Sequence, residues 1–170
     1  MLDKAISKLL NEQITKEFYS AYLYLDFANY YTDAGLDGFA NWFLVQAKEE
    51  QDHGSLMIQY LHNNADKVTL EAIPKPDVPL KDHMDPLKGG LAHEKIVTAS
   101  IHNIYGVASE LKDYRTMQFL DWFVKEQGEE EKNAEDNIKK YELYGSDAKG
   151  LYALNGEMMA RVYAPPSLVL

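Results

Sequence analysis

The sequence predicts an all-α protein: a four-helix bundle with one long crossover connection and a short fifth helix near its C-terminal end. Three observations carry this reading. Apolar residues recur at spacings of three and four along four long segments, about 3–31, 36–63, 86–111 and 116–144, and along a short one near 148–162. No stretch shows convincing strand character. One connection, 64–84, is long and holds Pro74, Pro76 and Pro79, which exclude a helix there and suit a chain crossing the length of a bundle.

Each break has a local cause. Thr32-Asp33-Ala34-Gly35 ends the first helix with turn formers and a glycine stop. Asn63-Asn64 ends the second. Asp85-Pro86 restarts the chain, with Asp85 expected as N-cap and Pro86 in the first turn. The link near Asp113–Thr116 is short, so the third and fourth helices are expected to be antiparallel neighbours. Gly145 stops the fourth helix.

Bulk properties narrow the function classes. The 170 residues fit one domain, expected over 1–163, with 164–170 as a tail. The chain has no cysteine, which removes disulfides, zinc-thiolate sites and iron–sulfur ligation. The formal net charge of −10 disfavours nucleic acid and anionic membranes as partners and attracts cations. Met1-Leu2-Asp3-Lys4 lacks a signal-peptide pattern, and no apolar run approaches the roughly 20 residues of a membrane span. A soluble, cytoplasmic protein is expected.

The inward stripes then supply the chemistry. The first reads Ile6, Leu10, Gln13, Glu17, Ala21, Tyr24, Ala28, Tyr31; the second Phe39, Phe43, Gln46, Glu50, His53, Met57, Tyr60. The third reads Leu87, Leu91, Glu94, Val97, Ile101, Ile104, Ala108, Leu111; the fourth Leu120, Phe123, Gln127, Glu130, Ala134, Asn137, Tyr141. Each is apolar at its ends and polar near its middle. A buried carboxylate is costly without a compensating cation or hydrogen bonds. No Lys or Arg lies on any stripe, so a metal ion is a better partner than a buried salt-bridge network.

The polar positions repeat. Glu17 to Glu50 and Glu94 to Gln127 are both 33 residues, and Glu17 to His53 and Glu94 to Glu130 are both 36. The chain is therefore two helical hairpins, each giving one Glu from its first helix and an i,i+3 pair from its second. Residues three apart share a helix face and can reach one centre. Four carboxylates with one imidazole suit two iron or manganese ions better than structural zinc or calcium, and iron is the redox-active choice.

At these residues the chain resembles the bacterial non-haem ferritins over nearly its full length. The matching stretches are Leu9-Leu10-Asn11-Glu12-Gln13, Glu49-Glu50-Gln51-Asp52-His53 and Phe123-Val124-Lys125-Glu126-Gln127-Gly128-Glu129-Glu130-Glu131. The resemblance implies a ferritin-like bundle that oxidises Fe(II) with O2 or peroxide and stores Fe(III) mineral inside a 24-subunit shell. It implies one iron at Glu17, Glu50 and His53, and another at Glu50, Glu94 and Glu130. Glu50 would bridge them, with Gln127 alongside and Tyr24 beside the centre. A third iron would sit at Glu49, Glu126 and Glu129, which can equally be read as a solvated acidic face.

Departures from related families are informative. Gln127-x-x-Glu130 stands where bacterioferritins and rubrerythrins repeat Glu-x-x-His, and Gln51 stands where bacterioferritins carry a haem-binding Met, so no haem is expected. The tail Ala164–Leu170 matches nothing in the family pattern. His62, His83, His93 and His102 are expected at the surface or in packing, Trp122 in the core, and Tyr19, Tyr22 and Tyr30 at contacts between subunits. Two other functions fit a four-helix bundle: a soluble di-iron peroxidase or oxidase of the rubrerythrin-like class without storage, and a helical signalling protein, against which the buried carboxylates argue.

Overall fold

The computed structural model describes residues 2–170. It contains α1 (Lys4–Asp33), α2 (Asp37–Asn63), α3 (Asp85–Glu110), α4 (Tyr114–Tyr144) and α5 (Ala148–Met159), and no strand among the described residues. The hairpins α1–α2 and α3–α4 pack side by side through α1 and α3, and α5 lies against α2 and α4. Residues 64–84 join the hairpins and run along the outside of the bundle. Asn11 holds the start of this crossover, donating to the Lys67 carbonyl at 3.1 Å and accepting from the Thr69 N–H at 2.6 Å.

The helix ends follow from their sequences. The Asp3 carboxylate accepts from Ala5 N–H and caps α1; Asp113 accepts from Thr116 N–H and caps α4; Asp147 accepts from Gly150 N–H and caps α5. Gly35 closes α1 at a φ of +73°, where a side chain would be strained. The N-terminus of α2 has no cap of its own. Asn155 of α5 supplies one, its Oδ1 accepting from Gly38 and Phe39 N–H groups at 2.9 and 3.2 Å. A Cβ on residue 38 would lie 1.7 Å from the Asn155 carbonyl oxygen, so glycine is what lets α5 dock there.

Three expectations need correction. Asp85 is not the cap of α3 but its first residue, after Met84 as N-cap. Its carboxylate reaches back to accept from the Lys81 and Asp82 N–H groups at 2.7 and 3.1 Å, which orders the turn before the helix. The fifth helix ends at Met159 rather than 162. On the third stripe Leu111 is 47% exposed, because α3 has already ended at Glu110.

The core has two apolar parts. One gathers Ile6, Leu10, Ile14, Met57, Leu61, Ile101, Ile104, Leu120 and Phe123. The other gathers Leu23, Phe27, Tyr31, Phe39, Phe43 and Leu87, with Tyr31 stacked on Phe39 at 5.0 Å and Phe27 edge-on to Phe43 at 5.4 Å. Between them lies a buried polar layer: Gln13, Glu17, Ser20, Gln46, Glu50, His53, Glu94, Gln127 and Glu130. Among the described residues, no helix is long and apolar enough to cross a membrane.

Candidate metal centre

The six residues singled out by the repeat come from four helices and meet in that layer. Glu17 (α1), Glu50 and His53 (α2), Glu94 (α3), and Gln127 and Glu130 (α4) are between 1% and 7% exposed. Their ligand atoms converge in two sets, Glu17–Glu50–His53 and Glu50–Glu94–Glu130, each with one atom per residue within 4.8 Å of the others. Glu50 belongs to both. The helical hairpin makes this possible: positions 50 and 53 are nearly one turn apart on one face, opposite Glu17 of the antiparallel neighbour.

Neutral donors orient the carboxylates. Gln13 donates to Glu17 Oε1 at 2.8 Å, and Gln46 donates to Glu50 Oε1 at 3.1 Å and to Glu130 Oε2. Gln127 donates to Glu94 Oε2 at 3.1 Å, and the Tyr24 hydroxyl donates to Glu94 Oε1. A relay outside the pocket fixes Gln13: Lys16 Nζ donates to Ser100 Oγ, which donates to Gln13 Oε1 at 2.5 Å. His53 Nδ1 faces Glu50 Oε2 at 3.3 Å and Glu17 Oε2 at 3.9 Å. Its ring is held edge-on between Trp122 at 5.5 Å and Phe123 at 5.9 Å.

The electrostatics are unbalanced without a cation. Burial, and then the neighbouring carboxylates, push Glu50 and Glu130 well above the usual carboxyl range. Burial also raises Glu94, against hydrogen bonds from Tyr24 and Gln127 that favour its charged form. Burial and then Glu94 push the Tyr24 hydroxyl well up, which keeps it a donor. Glu17 Oε2 is buried with no hydrogen-bond partner. An orphaned carboxylate oxygen facing a His nitrogen and a shared carboxylate is the environment a divalent cation completes. Four carboxylates carry the charge that two divalent ions neutralise.

The remaining expected residues lie around this pair. Glu49, Glu126 and Glu129 line one cavity of about 230 Å³ with His53, Trp122 and Ala164–Ser167, but the three do not converge as a ligand set. The set that converges there is His53, Glu126 and Glu130. Glu49 is instead paired with Arg161, its Oε2 at 2.5 Å from Nη2. Trp122, expected in the core, is half-buried at the rim, where its Nε1 donates to Ser167 Oγ at 3.0 Å. His62 and His102 are exposed, and His83 packs beside Tyr30. His93 contacts Ser20 Oγ at 2.7 Å and is pushed down to about 4 by burial, so it is a neutral packing residue. A second, narrow cleft lined by Tyr24, Phe43, Gln46, Glu94 and Glu130 has room for about one water.

Gln13 and Gln46 read in the sequence only as polar breaks in their stripes. Their place one turn before Glu17 and Glu50 was the available signal for their role as donors. Thr98, which accepts from Gln127 at 3.3 Å, and Arg161 carried no such signal.

Fold and site together define a helical-bundle protein whose buried carboxylates and histidine form two groups that could hold metal ions inside a single subunit. Residues 7–144 match the model of the ferritin-like domain, and the chain belongs to the ferritin family. It is 37% identical over 163 residues to a bacterial non-heme ferritin of Staphylococcus haemolyticus, covering 96% of this chain and 98% of that one. It is 34% identical to the non-heme ferritin of Staphylococcus aureus over the same span. Among solved structures, a humanized archaeal ferritin superposes with a TM-score of 0.94 at 37% identity, covering 97% of this chain and all of that one. The open-pore ferritin of Archaeoglobus fulgidus gives 0.92 at 36% identity, covering 95% of this chain and all of that one.

Proposed function

We propose that this chain is a ferroxidase and iron-storage subunit, with Fe(II) as its substrate and stored Fe(III) as its product. The observation that carries the proposal is the pair of buried ligand sets sharing Glu50. Glu17, Glu50 and His53 receive one Fe(II); Glu50, Glu94 and Glu130 receive the other, with Gln127 and Tyr24 holding Glu94. Each Fe(II) gives up one electron, and the two electrons reduce O2 or H2O2. With O2, two protons complete H2O2; with H2O2, two protons complete two waters. Glu50 and Glu130, held well above the usual carboxyl range by burial, would release protons for that step when iron arrives. No haem takes part.

Full-length likeness to ferritins supports storage in a hollow shell, of twenty-four subunits in the family pattern and closed by symmetry. Tyr19, Tyr22 and Tyr30, off the inward stripe, are proposed contacts between subunits, and a cytoplasmic location is proposed from the likeness to bacterial ferritins. Light scattering on purified protein, before and after aerobic Fe(II) addition, tests the reading. A shell-sized particle that retains hundreds of irons is the expected result. A monomer or dimer that oxidises Fe(II) and releases it contradicts storage and favours a soluble di-iron peroxidase.

A further inference from the structure

The chain beyond α5 is strapped to the mouth of the metal centre. Asn41 donates to the carbonyls of Met159 and Arg161 at 3.2 and 3.0 Å. Lys48 Nζ sits 3.6 Å from the centre of the Tyr163 ring, whose hydroxyl donates to Asp52 at 2.6 Å. Ser167 accepts from Trp122 on α4, and Leu168 packs against the apolar core. The segment thus follows α2 from Asn41 to Asp52 and then reaches α4. It forms one wall of the cavity that exposes Glu49, His53, Glu126 and Glu129.

Arg161 is the charged element of this strap. Its guanidinium stacks over Trp42 with Cζ 4.1 Å from the ring centre, donates to the Trp42 carbonyl at 3.2 Å, and pairs with Glu49 at 2.5 Å. Both partners of the ion pair are about four-fifths buried, so water does little to screen it. A planar guanidinium stacked on an indole and hydrogen-bonded at its edge is a fixed cation, not a mobile surface charge.

The ligand sets show what this cation withholds. The third convergent set is His53, Glu126 and Glu130. His53 also belongs to the first ion's set and Glu130 to the second's. With both ions bound, only Glu126 remains uncommitted, and one carboxylate does not hold a divalent ion. Glu49 and Glu129 line the same mouth, and Glu49 is near enough for charge effects with both Glu126 and Glu130.

Resting on the paired-site reading above, we propose that Arg161 is a tethered cation that occupies Glu49 in place of a third metal ion and so limits each subunit to two. Releasing Glu49 would let it join Glu126 and Glu130 as a third site beside the cavity under residues 164–167. Arg161 is a specificity-determining residue: it does not touch the two ions but sets how many the centre holds.

The test is anaerobic titration of the assembled protein with Co(II), an ion that reports binding without ferroxidation, read by calorimetry and by the visible absorption of bound Co(II). Wild type is expected to take two ions per subunit. Arg161→Gln is expected to take three, and Arg161→Gln/Glu49→Gln to return to two. Arg161→Lys, which keeps the cation, stays at two, and helix content by circular dichroism stays unchanged in all four proteins. Two ions in Arg161→Gln, or three in wild type or in Arg161→Lys, overturns the role of Arg161 while leaving the paired site standing. If Glu50→Gln still takes two ions with wild-type affinity, the paired site itself fails and the inference falls with it.

Discussion

The two hairpins have matched spacing but unlike chemistry. In α1–α2 the repeat delivers Glu17, Glu50 and His53; in α3–α4 the same positions hold Glu94, Gln127 and Glu130. The first hairpin therefore builds a site with an imidazole and with Glu17 Oε2 left free for a ligand. The second offers carboxylates that already accept from Tyr24, Gln127 and Gln46, and it needs Glu50 of the first to complete a set. The comparison teaches that the candidate centre is asymmetric by construction: one hairpin supplies a whole convergent set, and the other completes a second only by borrowing.

The largest way to break this asymmetry is to remove the borrowed residue. Glu50→Ala should abolish tight binding of both ions and slow ferroxidation by roughly 100-fold or more, since both sets lose a ligand. Stopped-flow oxidation at two Fe(II) per subunit measures it; a wild-type rate would refute the shared-ligand assignment.

Next come the two equivalent positions, His53 and Glu130. The first set offers an imidazole and the free Glu17 Oε2, whereas Glu94 and Glu130 of the second already accept from Tyr24, Gln127 and Gln46, so the first ion should be the tighter by roughly tenfold, about 1.4 kcal/mol. Glu130→Ala should remove only the weaker ion, and His53→Ala should bring the two affinities together. Anaerobic calorimetry resolves the steps; equal effects of the two substitutions on both ions would show the hairpins to be equivalent.

A smaller effect concerns the metal-free protein. Glu50, Glu94 and Glu130 sit above the ordinary carboxyl range, so the folded state holds more protons than the unfolded one. Stability then falls as pH rises past the unfolded carboxyl value, and the contribution is fully lost once pH exceeds the folded values. Below the unfolded value both states are protonated and the effect vanishes. Glu130→Gln, which cannot ionise, should accordingly raise the Tm of the metal-free protein at pH 8 by roughly 2–8 °C and change it little at pH 4. A drop at pH 8 in metal-free differential scanning calorimetry would contradict the electrostatic account. The smallest effect is at Tyr24: Tyr24→Phe removes one donor to Glu94, about 1 kcal/mol, and should weaken the second ion roughly fivefold while sparing the first.

Much of this was legible in the sequence, for a physical reason. Helical periodicity makes burial a property of spacing, so every residue of the first two stripes is buried, and the repeat placed Glu17, Glu50, His53, Glu94, Gln127 and Glu130 in one layer. What escaped was set by tertiary contact. The cap of α2 comes from Asn155, more than a hundred residues away, and the partner of Glu49 is Arg161, at a similar distance. Neither leaves a local signal. Asp85 looked like an N-cap because Asp before Pro usually is one, yet its carboxylate folds back on the preceding turn. Glu49, Glu126 and Glu129 do reach one cavity, yet the set that converges there is His53, Glu126 and Glu130, and Glu49 is paired with Arg161, a residue from the chain beyond α5 that no helical spacing announces.

The most direct test of the paired centre is a crystal soaked anaerobically in Fe(II) and measured on both sides of the iron absorption edge. Two anomalous peaks per subunit are expected, one bounded by Glu17, Glu50 and His53 and the other by Glu50, Glu94 and Glu130, with the second at lower occupancy when iron is limiting. Iron found elsewhere in the subunit, or a single peak that does not contact Glu50, would contradict the account.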